Sequence, residues 1–165
     1  MDELVAKVKE KLNLRQAQSI ELTYSQSVPS EKVFIDNANV DIMTTPLELI
    51  VDMFKINFED DWVRWIAKGF EYDINFRFEV STQISKFIPL RMIRDWPCLF
   101  VVDAIRPMYV VDGSHITRGD IASKPDKSII VLTNKQKLTS DAEDIVSYKD
   151  IQLQVRNDEE CIWQK

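Results

Sequence analysis

The chain has 165 residues, 45% of them hydrophobic and 29% charged, so it is long enough for one well-formed core and too apolar for extended disorder. Its three glycines cannot form a glycine-rich phosphate loop, and its two cysteines and single histidine cannot supply a zinc site of local C-x-x-C type. The net charge of −6 lies entirely in residues 1–82, which disfavours direct nucleic-acid binding by that half.

Residues 2–12 place Leu4, Val5, Val8 and Leu12 on one face, which predicts a short amphipathic helix. This segment contains no apolar signal core, and no apolar run in the chain approaches the roughly 18 residues that span a bilayer. We therefore expect an intracellular, cytoplasmic protein that does not act at a membrane.

Two strands are predicted next, residues 19–24 and residues 32–36, and a turn around Pro29 would join them as a hairpin. Thr45 and Glu48 have the spacing of a capping box, with a proline at the first helical position, so a helix is predicted from there to about residue 56.

A further helix is predicted over residues 58–68, since aromatic residues recur on one side and an acidic run suits the positive end of its dipole. Capping alone explains the acidic run, but the acidic and aromatic side chains together are also the best candidate for a partner-binding surface. These candidate binding residues are Glu59, Asp60, Asp61, Trp62 and Trp65. Exposure of the four tryptophans as one cluster, Trp96 and Trp163 included, would favour that interpretation.

Strict alternation makes residues 71–80 the clearest strand, and residues 87–93 are predicted to be extended, with Pro89 restricting them to an edge. The later apolar and alternating runs predict four more strands: residues 98–102, 108–111, 128–132 and 151–155. The polar residues 113–127 are expected to form a surface loop, and Ser140 with Glu143 predicts a capped short helix.

These elements predict an α+β fold: a single domain over residues 1–165, with a mostly antiparallel sheet of about five to seven strands and two to four helices. A subdivision into residues 1–56, a helix, hairpin and helix, and residues 57–165, rich in strands, is the alternative. Cys98 and Cys161 are expected to be reduced, and Cys98 to behave as a small buried hydrophobic residue.

The sequence Val-Val-Asp occurs twice, ending at Asp103 and Asp112, and His115 follows shortly after. Two carboxylates at strand ends, with a histidine beside them, could hold Mg²⁺ for phosphoryl transfer. The aspartates are only nine positions apart, which instead favours a tight antiparallel connection that separates them. Adjacent residues seldom direct their side chains at one point, so Ser114 and His115 are not expected to form a nucleophile pair.

Several segments resemble the amino-terminal part of plant Mutator-like transposases. Residues 4–40 resemble the ubiquitin-like region of that family, and NFRFEV (75–80) with LRMIRDWPCLF (90–100) is similar to its DNA-binding segment. Met92 and Trp96 stand at the positions of the zinc cysteines, and RPMYVVDGSHI (106–116) resembles the strand of its first catalytic aspartate, here Asp112. The resemblance implies a degenerate, zinc-free DNA-binding fragment of nuclear location.

By exclusion, the sequence favours a non-catalytic protein without a cofactor or metal that binds another macromolecule. A protein partner fits best, as an interaction, inhibitor or adaptor module, and the acidic first half suits a basic or nucleic-acid-binding partner. The alternatives are the transposase-derived DNA-binding fragment and a metal-dependent phosphoryl-transfer enzyme using Asp103 and Asp112.

Overall fold

The structure is a computed structural model that describes residues 2–157. The chain divides into two compact units, unit 1 (Met1–Glu79) and unit 2 (Val80–Lys165). Each unit combines helices with a sheet, which confirms the predicted α+β class. The single-domain organisation and the alternative subdivision after residue 56 stay predictions.

Three parallel strands form the sheet of unit 1, in the order β1-β2-β3. In its described residues the elements of this unit are α1 (Asp2–Ala17), β1 (Ser19–Thr23), α2 (Lys32–Asp36), β2 (Asn39–Met43), α3 (Leu47–Phe54), α4 (Asp61–Glu71) and β3 (Asn75–Val80). Ser19 lies opposite Asn39, and Asn39 lies opposite Asn75. Helices between consecutive strands return the chain to the same end, which is why the strands run parallel.

Aromatic side chains fill the core of unit 1. Phe76 and Phe78 alternate inward along β3, as the sequence pattern predicts, and are almost fully buried. The Phe34 ring of α2 packs against Trp65 of α4 with 4.5 Å between ring centroids, and Trp65 lies 5.8 Å from the Phe76 ring. Gly69 of α4 permits this close packing, because a Cβ there would overlap the Phe76 ring.

Unit 2 has strand order β4-β5-β7-β9, with a separate pair formed by β6 and β8. Its described elements are α5 (Thr82–Ser85), α6 (Leu90–Asp95), β4 (Cys98–Val102), β5 (Arg106–Val110), β6 (His115–Ile116), α7 (Arg118–Ala122), β7 (Ile129–Thr133), β8 (Lys137–Leu138), α8 (Ser140–Tyr148) and β9 (Gln152–Arg156). A tight hairpin joins β4 to β5, in which Asp103 and Ala104 both have positive φ. From β5 onward neighbouring strands are parallel.

The β7 strand occupies the middle of the unit 2 core, between β5 and β9. Ile130 and Val131 are fully buried although they point to opposite faces, because both faces of the strand are covered. Ile116, Ile121 and Ala142 from the flanking elements form one core cluster with Ile130. The continuous apolar run of β7 is therefore typical of a strand that is buried on both sides.

The prediction of a mostly antiparallel sheet is wrong. Among the strand pairs within the two units only β4 and β5 are antiparallel. Residues 113–127, which were expected to be a loop, contain β6 and α7 and cross over between β5 and β7. A connection with its own helix is long enough to make the joined strands parallel, and such short helices bring the total in the described chain to eight instead of two to four.

Two local predictions are also wrong. Residues 32–36 form α2 and not the second strand of a ubiquitin-like hairpin, since this single helical turn carries Phe34 into the core. Residues 90–95 form α6, and Pro89 is its N-cap residue instead of part of an edge strand. The capping box predicted at Thr45 does not form, because the buried Thr45 hydroxyl donates to the Ile42 carbonyl.

Candidate binding sites

Most of the acidic residues predicted to bind a partner, at the start of α4, have structural roles. The Asp60 carboxylate caps the helix by accepting a hydrogen bond of 2.9 Å from the Val63 amide. Asp61 forms an ion pair with Arg64 one turn later. Glu59 is exposed. A binding role for these carboxylates stays a prediction.

The tryptophans do not form the exposed cluster that would indicate a binding surface. Trp62 and Trp65 are only 3% and 5% exposed, so they belong to the core of unit 1. The Trp62 indole N–H donates to the Ser25 carbonyl at 2.7 Å. Trp96 is half-buried in unit 2, and Trp163 lies outside the described residues.

A shallow groove in unit 1 brings together two of the predicted binding residues, Asp61 and Trp65. Its floor is apolar and includes Phe58, which is more than half exposed because α4 begins only at Asp61 and leaves this side chain outside the helix. Ionic side chains form the rim: Glu31, Asp61, Arg64, Lys68 and Glu71. Lys68 and Glu71 pair with each other, as Arg64 does with Asp61, so Glu31 is the remaining charge.

The structure does not bring Asp103 and Asp112 together. Asp103 lies in the β4–β5 turn, where its carboxylate accepts a hydrogen bond of 2.6 Å from the Thr82 hydroxyl. Asp112 lies beyond the opposite end of β5. At a rise of about 3.3 Å per residue, the intervening strand separates the two by roughly 20 Å. No group of His, Cys, Asp and Glu side chains that could hold a metal ion occurs within residues 2–157.

The expectation about Ser114 and His115 is wrong in its geometry. The Ser114 hydroxyl lies 3.0 Å from His115 Nδ1, because residues 113–115 turn into the short strand β6 and bring the two side chains to the same side. Both side chains are exposed. The contact is a surface hydrogen bond at the edge of the cleft described next.

A cleft of about 250 Å³ opens at the carboxyl ends of the parallel strands β5 and β7. Ligands of α/β sheets commonly bind at this position, because the connections that leave neighbouring parallel strands meet there. The lining combines apolar and polar side chains: Leu90, Arg94, Val110, Val111, Asp112, Gly113, Ser114, Thr133, Lys135 and Gln136. Among these residues, only Asp112 and Ser114 stand out in the sequence as candidates for a site.

Gln136 fixes the two loops that form the cleft. Its side-chain amide donates to the carbonyls of Val111 and Gly113, each at 2.7 Å, and its carbonyl oxygen accepts from the Thr133 amide at 2.9 Å. The amide nitrogen and the carbonyl oxygen of the Gln136 side chain are thus both hydrogen-bonded, and this side chain joins the loop after β5 to the loop after β7. Gly113 has φ +96°, a conformation that favours glycine, which lets the first loop turn at this point.

Helix α1 exposes the apolar face that the sequence predicts. Leu4 is 69% exposed, and Val5, Val8 and Leu12 are each 50% exposed. At about 100° per residue these four side chains occupy an arc of roughly 100°. The helix pattern was predictable, whereas the absence of any covering element in the described residues was not.

The Cys98 thiol at the start of β4 is largely withdrawn from water, and burial raises its pKa to about 12 from the ordinary 9.0. At pH 8 the thiolate fraction then falls from about one in ten to about one in ten thousand. In a Cys161→Ser variant, which removes the cysteine outside the described residues, we expect Cys98 to react with a disulfide reagent at least about a hundredfold more slowly in the native protein than in urea. Equal rates in the two states would show that this thiol is accessible.

These units and surfaces define an α+β protein whose distinctive exposed features are an apolar helix face and a small cleft with both polar and apolar lining residues. A family model described as "Putative propanediol utilisation" matches residues 3–152, so the chain belongs to this family. No curated protein and no solved structure matches the chain.

This family assignment corrects the resemblance to Mutator-like transposases, which rested on short motifs, whereas the family match extends over most of the chain. The transposase-derived DNA-binding function and the nuclear location were implied by that resemblance alone and are withdrawn with it. Across residues 2–157, none of the helices has the length and apolar character required to cross a bilayer.

Proposed function

We propose that this chain is a non-catalytic, cytoplasmic component of propanediol utilisation that binds another protein through helix α1. The family assignment supports the metabolic context. The observation that carries the binding role is the half-exposed apolar face of α1, formed by Leu4, Val5, Val8 and Leu12. A contiguous apolar patch of this kind on a folded protein marks an interaction surface.

The size of the patch favours a groove in a larger partner over a second copy of the chain. Two α1 helices paired face to face would bury on the order of 400 Å² per copy, about half of what a stable interface buries on each partner. An amphipathic helix laid into a groove also buries its flanks. The spacing of Val5, Val8 and Leu12, at i, i+3 and i+7, matches the anchor positions of that binding mode.

The charge of α1 indicates which charge the rim of the partner's groove should have. Residues 2–17 carry four basic and three acidic side chains, in contrast to residues 18–82, which carry five basic and twelve acidic ones. Lys7 and Lys11 lie beside the apolar arc, since each is close to Leu4 in angle around the helix. A partner groove with an apolar floor and an acidic rim is therefore complementary to α1.

Site-specific photocrosslinking tests this proposal in cells growing on propanediol. We expect a benzophenone amino acid at position 8, inside the apolar face, to give one discrete crosslinked product with a protein of propanediol utilisation. The same amino acid at position 10 is the matched control, because Glu10 is equally part of α1 and lies on the opposite face. Leu12→Asp should abolish the product at position 8.

Equal crosslinking from positions 8 and 10, or products formed only with a second copy of the chain, would contradict the proposal. Circular dichroism of the Leu12→Asp variant separates loss of binding from loss of folding, since an exposed substitution of this kind leaves the core of unit 1 unchanged.

The acidic residues outside α1 supply a second candidate contact, with a basic partner. The groove that contains Asp61 and Trp65 is its most defined part, and Phe58 offers an exposed apolar anchor there. Association through this surface should weaken as salt is raised, because it would be steered by the net negative charge. Binding to a basic partner that did not respond to salt would exclude the acidic surface.

A further inference from the structure

We infer that the cleft of unit 2 at the carboxyl ends of β5 and β7 binds a small oxyanion, a carboxylate or phosphate on a short aliphatic chain, held by Lys135 and Arg94. This site is independent of α1, and its binding activity does not rest on the function proposed above.

The charged groups of the lining favour an anion. Lys135 and Arg94 approach from different elements, the loop after β7 and helix α6, and Asp112 is the single carboxylate of the lining. Asp95, outside the lining, also pairs with Arg94, so Lys135 is the cation of the lining that has no ion pair with a carboxylate in the described part of the chain. A cation placed against the overall negative field of the protein is suited to binding a negatively charged ligand.

Of the two cations, Lys135 is the one whose charge is more available to a ligand. It is exposed, and it forms no salt bridge with any side chain in the described part of the chain. Arg94 is oriented by the neighbouring Asp95 carboxylate, with Nε to Oδ1 at 2.9 Å. Its guanidinium lies 3.7 Å from the carboxylate of Asp112, a separation at which an incoming oxyanion can compete for the same cation.

The cleft is preorganised by Gln136. The three hydrogen bonds of this side chain to Val111, Gly113 and Thr133 hold both loops in place without a ligand. Because the loops are already ordered, binding a ligand here costs less free energy than it would at a mobile surface. Ser114 and Thr133 add hydroxyl groups to the lining.

The apolar part of the lining and the volume limit the ligand's size. The apolar residues Leu90, Val110 and Val111 also line the cleft, which suits a short aliphatic chain. A volume of about 250 Å³ is below the range of pockets that hold drug-sized molecules. A four-carbon acid or its phosphate counterpart is therefore a suitable probe.

The three glycines of the chain provide a direct test by NMR. The Gly113 amide lies in the cleft, whereas Gly69 lies in the unit 1 core and Gly119 lies in α7 outside the cleft. We expect butyrate and butyl phosphate, titrated to about 50 mM at constant ionic strength, to shift the Gly113 amide signal saturably, with a Kd in the millimolar range. The Gly69 and Gly119 signals should stay in place. Neutral butyramide should leave all three unchanged.

Two substitutions with opposite expected effects on affinity distinguish binding at this site from general salt effects. Lys135→Gln should weaken binding roughly two- to fivefold, and Asp112→Ser should strengthen it by a similar factor, because the competing carboxylate is removed. Lys137→Gln is the matched control, because Lys137 is exposed in β8 and outside the lining. The relative affinities of the carboxylate and the phosphate identify the head group.

Several results would overturn the inference. These are equal shifts at the three glycines, binding of butyramide as tight as that of butyrate, or equal affinities of the Lys135→Gln and Lys137→Gln variants. Because these measurements use the isolated chain of 165 residues, a failure here would leave the α1 proposal intact, and loss of α1 crosslinking would leave this one intact.

Discussion

Gly69→Ala is expected to destabilise the protein by about 1–3 kcal/mol, although the same exchange in an ordinary helix stabilises it. A Cβ at Gly69 would overlap the Phe76 ring and lie 3.2 Å from Phe34 Cε1. These rings belong to the buried aromatic cluster of unit 1 and cannot move outward into solvent. The free energy of unfolding in urea, followed by tryptophan fluorescence, measures the effect.

Gly119→Ala is the matched control for this prediction. Gly119 also lies in a helix, α7, but the nearest atom to its added Cβ would be Thr117 Oγ1 at 3.8 Å, an ordinary contact. We expect this variant to be neutral or up to about 1 kcal/mol more stable. Shortening the facing ring in Gly69→Ala/Phe76→Leu should cost less than the sum of the two single changes. Additive effects would show that Phe76 is not the obstacle.

Ile130→Ala is expected to cost about 2–5 kcal/mol, because it removes a fully buried side chain from the middle strand of the unit 2 core. Val155→Ala, on the neighbouring strand β9, removes a similar group from a side chain that is mostly exposed. We expect that control to change stability by less than about 1 kcal/mol. Similar losses for both variants would show that β7 is not the centre of the core.

The same variant tests the predicted single-domain organisation. In a background with Trp96→Phe and Trp163→Phe, the remaining tryptophans, Trp62 and Trp65, both report on unit 1. If the chain unfolds as one domain, Ile130→Ala should lower the urea midpoint seen by fluorescence as much as the midpoint seen by circular dichroism. A fluorescence midpoint that does not move would show that unit 1 unfolds independently.

The elements with long or strict patterns were predictable. The alternation around Phe76 and Phe78 identified β3, and the apolar runs identified β4, β5 and β7. Short segments failed, since five residues such as Lys32–Asp36 fit a strand or a helical turn equally well. Pro89 was likewise ambiguous, because proline suits both an edge strand and the start of a helix.

Strand direction could not be obtained in the same way. Residues 113–127 are polar and contain two of the three glycines, which is typical of a loop, yet they hold β6 and α7. Whether β5 and β7 pair parallel or antiparallel depends on the path of that connection. The path depends in turn on Ile116 and Ile121 packing into the core, a contact between residues distant in the chain.

The periodicity of neighbouring side chains was sufficient to predict the α+β class, the central strands and the apolar face of α1. The exposure of that face, the burial of Trp62 and Trp65, and the position of Arg94, Lys135 and Asp112 in one cleft depend on tertiary packing. Whether a side chain is exposed, and which side chains meet at a site, depends on packing between segments that are distant in the chain. A local sequence pattern does not show which distant segment will cover it.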